Sequence, residues 1–328
     1  MLGIGVFVAS PAPGSGTILP QTRILGAFKD RVYKDGGTAE SYSCAESSLL
    51  PLLLDPGTFT TGLLEFYPGA AAAYSLRQIR RSVSPYAIRV RRSSDDTELD
   101  IGFTSNGDLD LGALLDFSGS GDACVSIWYD QSSNGNDAEQ STPGSQPKIV
   151  SSGSLITENG KPAMQFDGST TYFLGAAKTT IDNTAIFSVI KSDSNTQDCV
   201  FIQTSFTAGN FVTLGLGGIG SNNAIGSRLS VGGTVVSQVG DSTFTSTDQT
   251  LVSYLADNAT GQMFIDGTAE TDVVGSRNNL NQTTIGARGD GLNNFLGKIQ
   301  EVIFYDSDES SNRTDIEDNI NDFYSIYS

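Results

Sequence analysis

Short apolar runs recur along most of the chain, and Gly, Asn and Asp punctuate them. Residues 164–169, 185–190, 211–214, 228–231, 251–255, 261–267 and 297–305 each read as a strand bounded by turn residues. Regular spacing of such strands predicts two packed antiparallel sheets. Upstream, residues 87–92 alternate apolar and basic side chains, 101–103 and 125–128 supply further strands, and the turns between them fit a meander. Two segments leave the strand period. Residues 69–79 hold the alanines from Ala70 to Ala73 followed by Leu76 and Arg77, and they read as helical. The tail, 310–327, sets Ile316, Ile320, Phe323 and Tyr327 at helical steps, with Asp315, Glu317, Asp318 and Asp322 on the other face. It predicts an amphipathic helix that closes the fold, capped by Ser310 or Ser311.

Residues 1–66 have a different character. A Pro-Gly-Ser linker at 10–16 precedes an apolar patch at 23–28, a Gly-Gly turn near 35–40 and a short helix over 39–50 that ends before Pro51. This part is too interrupted to bury a core of its own, so the reading is an arm at 1–66 that docks on a partner or on the main domain, and a β domain at 67–328.

Composition narrows the chemistry. A formal net charge of −18 over 328 residues opposes binding to nucleic acid or to an anionic membrane surface. The chain has no histidine, which removes Ser-His and Cys-His catalysis and His-ligated zinc, so catalysis must run on carboxylates. Cys44, Cys124 and Cys199 are widely spaced and odd in number, and read as buried free thiols. The first ten residues lack the basic start of a signal peptide, and no apolar run is long enough to span a bilayer. Basic charge is concentrated in Arg77, Arg80, Arg81, Arg89, Arg91 and Arg92, which form a solvated or inter-subunit salt-bridging face or else an anion or acidic-glycan site.

The segment 128–140, Trp-Tyr-Asp-Gln-Ser-Ser-Asn-Gly-Asn-Asp-Ala-Glu-Gln, runs from an apolar strand into a polar loop. Asp130 and Asn134 are loop-capping residues first and ligand residues second, and the Asn134-Gly135 pair suits the positive φ of a tight turn. The strings at 166–169, 262–267 and 297–305 resemble the laminin-G-like, concanavalin A-like jelly roll, an all-β antiparallel sandwich. Together with the strings at 74–77, 93–96, 128–136 and 159–163, they are similar to the catalytic domain of α-L-arabinofuranosidase B over about residues 67–327. That resemblance implies a retaining mechanism with two carboxylates about 5 Å apart. It places the second carboxylate at Asp290, after Ile285-Gly, and the nucleophile at Val212, with no glutamate anywhere from 159 to 269. The expectation is therefore a chain without glycosidase activity, in which Asp290 is vestigial. The alternatives are a hydrolase pairing Asp290 with Asp130 or Asp241, and a free carbohydrate-binding module.

Candidate glycan contacts are Trp128, Tyr129, Asp130, Tyr172, Asp290 and Phe295, with burial in the core as the competing reading of the aromatics. No cofactor is expected except calcium, for which Asp167, Asp266 and Asp290 are candidates against simple Asp-Gly turn capping. The sandwich preceded by an arm such as residues 28–40 also resembles structural proteins of tailed bacteriophages. This implies a virion protein, a capsid decoration, head fibre or tail fibre on the particle surface. Its arm would contact other virion proteins, its sandwich would meet host-surface polysaccharide, and it would be a homo-oligomer without nucleic acid or membrane insertion.

Overall fold

The computed structural model describes residues 62–175, 183–193, 199–207, 210–216, 225–231, 234–237, 248–256, 260–270, 273–274, 283–288 and 292–328, within a unit spanning Thr61–Ser328. The expected linker, the helix at 39–50 and Cys44 lie outside these residues, while Cys124 is a buried free thiol.

One sheet orders its strands Ala70–Ser75, Leu296–Tyr305, Thr184–Ser192, Gln249–Ala256, Thr260–Ile265, all antiparallel. Its central strands are buried on both faces, so they read as near-continuous apolar runs. Ile186, Ile190, Val252, Tyr254, Val302 and Phe304 face the main core. Ala185, Phe187, Val189, Leu251, Ile303 and Tyr305 pack with the C-terminal helix Arg313–Tyr324. The short helix Leu63–Phe66 adds Leu63 and Leu64 to this second core.

The facing sheet runs Glu98–Gly102, Tyr86–Arg92, Ala123–Trp128, Ala138–Glu139, Phe173–Gly175, Thr283–Ile285, Cys199–Thr207, Asn210–Leu216, Ile225–Val231, Thr234–Ser237. Met164–Asp167 ties the sheets together by pairing with both Leu296–Tyr305 and Lys148–Ser151. Between them runs a chain of rings, Tyr74, Trp128, Phe173, Phe166 and Phe295, with neighbouring centroids 5.7 to 6.2 Å apart. The architecture is an all-β, concanavalin A-like jelly-roll sandwich.

Four local expectations change. Residues 69–79 are not helical: Ala70–Ser75 is a strand, because its small side chains fit beside the last strand in a layer buried on both sides, and that packing outweighs alanine's helix propensity. The region read as a meander contains a helix, Leu111–Ser118, whose start is capped by Asp110 accepting from Ala113 N at 3.0 Å. The C-terminal helix begins after Asn312, so neither Ser310 nor Ser311 caps it, and Glu317, expected in solvent, is buried with Ile316, Ile320 and Tyr324.

Candidate functional site

Among the described strands, Ala70–Ser75 pairs only with Leu296–Tyr305, and the loop after Trp128 covers its other edge. The Asp130 carboxylate, 4% exposed, accepts from Ala73 N (2.9 Å), Ser132 N (2.8 Å), Ser132 Oγ (2.6 Å) and Asn136 N (2.9 Å). Gln131 N donates to Ala73 O at 2.8 Å. The Gln131 side chain accepts from Ile79 N at 2.8 Å and donates to Ser75 O and Arg77 O at 3.1 and 3.0 Å. Asn134 Nδ2 donates to Ala70 O and Ala71 O, and Asn136 Nδ2 to Ala71 O. A carboxylate and three amides thus stand where a neighbouring strand would, and they satisfy backbone groups that would otherwise be unpaired. Positive φ falls on Ser133 (84°) and Gly135 (69°), so Asn134 is free to reach across.

Beside this clamp, the outer surface of the second sheet carries titratable groups. Tyr129 Oη donates to Asp100 Oδ1 at 2.7 Å, and Arg89 grips the same carboxylate through Nε (2.7 Å) and Nη2 (3.0 Å). The Tyr129 ring lies 5.9 Å from that of Tyr86, which is 41% exposed. Cross-strand register extends the row from Asp100 through Arg89, Ile127 and Glu139 to the exposed Leu174. Asp137, half-buried, accepts from Asp130 N at 2.8 Å. Its pKa is raised by burial and by the charge of Asp130, against the opposing pull of that hydrogen bond and of Arg89. Asp100 is lowered, chiefly by the Arg89 hydrogen bond and further by Tyr129, against desolvation. Carboxyls pushed apart in pKa on one surface are a setting for acid–base chemistry. On the loop's other flank a polar cleft of about 490 Å³ is lined by Pro68, Arg80, Ser133, Asn134, Asn136 and others. Arg80 Nη1 closes one side of it by donating to Ser132 O at 2.6 Å.

The structure redistributes the expected site residues. Trp128 and Phe295 are fully buried in the ring chain and Asp130 is filled by its four donors, so these three are not presented to a glycan. Tyr129 lies in the surface cluster, and Tyr172 is partly exposed, held through its backbone to Ser145 and Gln140. Asp290 and Asp241 lie outside the described residues, as does the side chain of Val212. The flanks of Asp290 are pinned: Phe295 N donates to Gly286 O at 2.8 Å and Arg288 N to Leu292 O at 2.9 Å. Gly286 has φ 87°, and a Cβ there would come within 2.4 Å of the Phe166 ring, so the Ile-Gly strand end requires glycine.

Two of the three calcium candidates, Asp167 and Asp266, hold turns, and the third, Asp290, lies outside the described residues. Asp167 accepts from the backbone of Ser169, Thr170 and Thr171, and these bonds hold its carboxyl well below the usual range despite desolvation. Asp266 accepts from Leu251 N at 2.9 Å, and burial raises its pKa. Among the described residues no group of three or more Cys, Asp or Glu is placed to hold a metal ion. Most of the arginine cluster is spent inside the unit: Arg77 on Glu301, Arg80 on Ser132, Arg89 on Asp100, Arg91 on Asp96 and Arg92 on Asp95. Sequence reading passed over Tyr86, Asp100 and Asp137. The signal for Asp100 was present, since the turn after Arg92 sets it opposite Arg89 in a hairpin.

The family model for the catalytic domain of α-L-arabinofuranosidase B matches residues 66–201, the stretch that contains the clamp. Solved structures with the same fold include a GH54 α-L-arabinofuranosidase soaked with a cyclic sulfate inhibitor (18% identity, TM-score 0.62). Another is an arabinofuranosidase complexed with arabinofuranosyl-α-1,2-xylobiose (19% identity, TM-score 0.59). Each match covers 79% of this chain, and this chain spans 64% of the length of each of those proteins. No curated protein matches the sequence. These findings correct the expectation of a chain without catalytic activity, because the matched model is that of a catalytic domain. The inference from Val212 has no anchor: the matched residues end at 201, before its strand, and the register opposite Thr204 and Leu229 concerns backbone alone.

Proposed function

We propose that the domain acts on arabinofuranoside-bearing glycans as an arabinofuranosidase-like glycoside hydrolase. The observation that carries this reading is the coincidence of the catalytic-domain match at 66–201 with the loop that clamps Ala70–Ser75. In such chemistry one carboxylate attacks the anomeric carbon while a carboxylic acid protonates the departing oxygen; the second group then activates water to release the sugar. The resemblance assigns the acid/base to Asp290. Asp130 is withdrawn as its partner, since its oxygens are already filled. Of the described carboxyls beside the clamp, Asp137 has the raised pKa that suits proton transfer, and Asp100 is kept ionised.

The full chain is expected to release 4-nitrophenol from 4-nitrophenyl α-L-arabinofuranoside. Asp290→Asn should lower the rate by about 10²- to 10⁴-fold, and Asp137→Asn should move the alkaline limb of the pH profile, where a proton donor is lost. A folded wild-type chain with no release above the uncatalysed rate would overturn the proposal.

A second use of the same surface is glycan binding, favoured by the exposed Tyr86 ring beside the Tyr129–Asp100–Arg89 group. Display on a phage particle, with residues 1–66 as the anchor to other virion proteins, rests on the sequence of residues 28–40. Localising the chain by microscopy of particles tests it.

A further inference from the structure

A cleft of about 380 Å³, sharing no residue with the surface described above, opens between the loop before the helix Leu111–Ser118, the hairpin Thr157–Pro162 and the end of the C-terminal helix. Its apolar lining comes from Leu76, Leu109, Leu111, Pro162, Phe323 and Tyr324. Its polar groups are of both signs: Lys161 Nζ lies 3.9 Å from the centre of the Phe323 ring, and Asp108, Asp110 and Thr104 stand among the lining residues.

The walls are preformed. Asn159 Nδ2 joins the hairpin to the helix end through Tyr324 O (2.7 Å) and Ser325 O (3.0 Å). Gln78 N donates to Gly107 O at 2.7 Å, and Asp110 both donates to Gly102 O and caps the helix. Behind the cleft, Glu301 accepts from Arg77, Ser75 Oγ and Tyr324 Oη, which locks Tyr324 in place.

From this lining we infer a binding site for a neutral sugar residue, separate from the proposed hydrolytic surface and independent of that activity. The volume is that of a small-ligand pocket. An apolar wall receives the C–H face of a ring, while the rim offers an ammonium donor, carboxylate acceptors and a hydroxyl that serves as either. A polyol matches all of these at once. A small anion meets Asp108 and Asp110, and a small cation meets Lys161, so each is repelled by part of the rim.

The test is titration of the full chain with L-arabinose and with xylobiose, followed by amide chemical shifts at Gly107, Gly112, Gly160 and Lys161. Saturable shifts centred on those residues are expected. They should weaken about tenfold in Lys161→Met and vanish in Thr104→Trp, which fills the mouth from an exposed position, with both variants melting like the wild type. Wild-type shifts that are absent or centred elsewhere, or unchanged affinity in both variants, overturn the inference. So does an equal response to tetramethylammonium or acetate. Loss of arabinoside hydrolysis leaves these readouts untouched, so the two proposals fail separately.

Discussion

Asp130 in the clamp and two glutamates, Glu301 on the last strand and Glu317 on the inner face of the C-terminal helix, are almost equally hidden from water, yet they are held in different ways. Asp130 takes its hydrogen bonds from three backbone N–H groups and one hydroxyl, and it needs no cation. Glu301 takes a two-pronged bond from Arg77, with Ser75 Oγ at 2.6 Å and Tyr324 Oη at 3.2 Å. Burial alone would lower the Arg77 pKa, and the Glu301 charge reverses that. Glu317, 1% exposed, has one oxygen on Arg313 and the other without a hydrogen-bond partner. The lesson is that a buried carboxylate is tolerated when donors are supplied, whether neutral or charged, and becomes a titratable weakness when one oxygen is left over.

The sharpest way to break this comparison is at Glu301. Glu301→Ala leaves the Arg77 guanidinium buried and uncompensated, and should cost about 3–5 kcal/mol in urea unfolding. The double variant Arg77→Met/Glu301→Leu should recover much of that loss; a double variant as unstable as the sum of the singles would show that the pair is not coupled. Asp130→Asn comes next, at about 2–3 kcal/mol, because an amide NH₂ must then face N–H donors. Hydrogen exchange should quicken at Ala73, Ser132 and Asn136, and unchanged exchange there would remove the clamp from the account.

The smallest effect is expected at Glu317, whose pKa is raised chiefly by burial, against the opposing pull of the Arg313 charge. The folded chain holds that proton more tightly than the unfolded chain does. Stability from this group is therefore present below the ordinary carboxylate pKa and falls as pH rises through the raised value. Glu317→Gln should flatten that part of the melting-temperature profile and gain about 1 kcal/mol near neutral pH; a profile parallel to the wild type would sink the assignment.

Legibility followed range. Three of the four hydrogen bonds to Asp130 come from Ser132 and Asn136, within six residues, so its capping role could be read locally, whereas its bond from Ala73 N spans 57 residues and could not; the strands Thr184–Ser192 and Leu296–Tyr305 announced themselves by apolar continuity. The helix Leu111–Ser118 was missed although Asp110 was a visible cap, because the surrounding turn residues suggested a meander. Tyr129 was singled out as a sugar contact, but its partners Asp100, Arg89 and Tyr86 come from two other stretches of strand.

By itself the sequence determined the sandwich class, the dependence of any catalysis on carboxylates, and the loop that follows Trp128, since these rest on periodicity, composition and short-range hydrogen bonding. Only tertiary structure decided that an alanine run is an edge strand, that Trp128 and Phe295 are core, that Glu317 faces inward and that Arg77 spans more than two hundred residues to Glu301. Those outcomes depend on which distant surfaces exclude water together, and neither local propensity nor helical spacing encodes that.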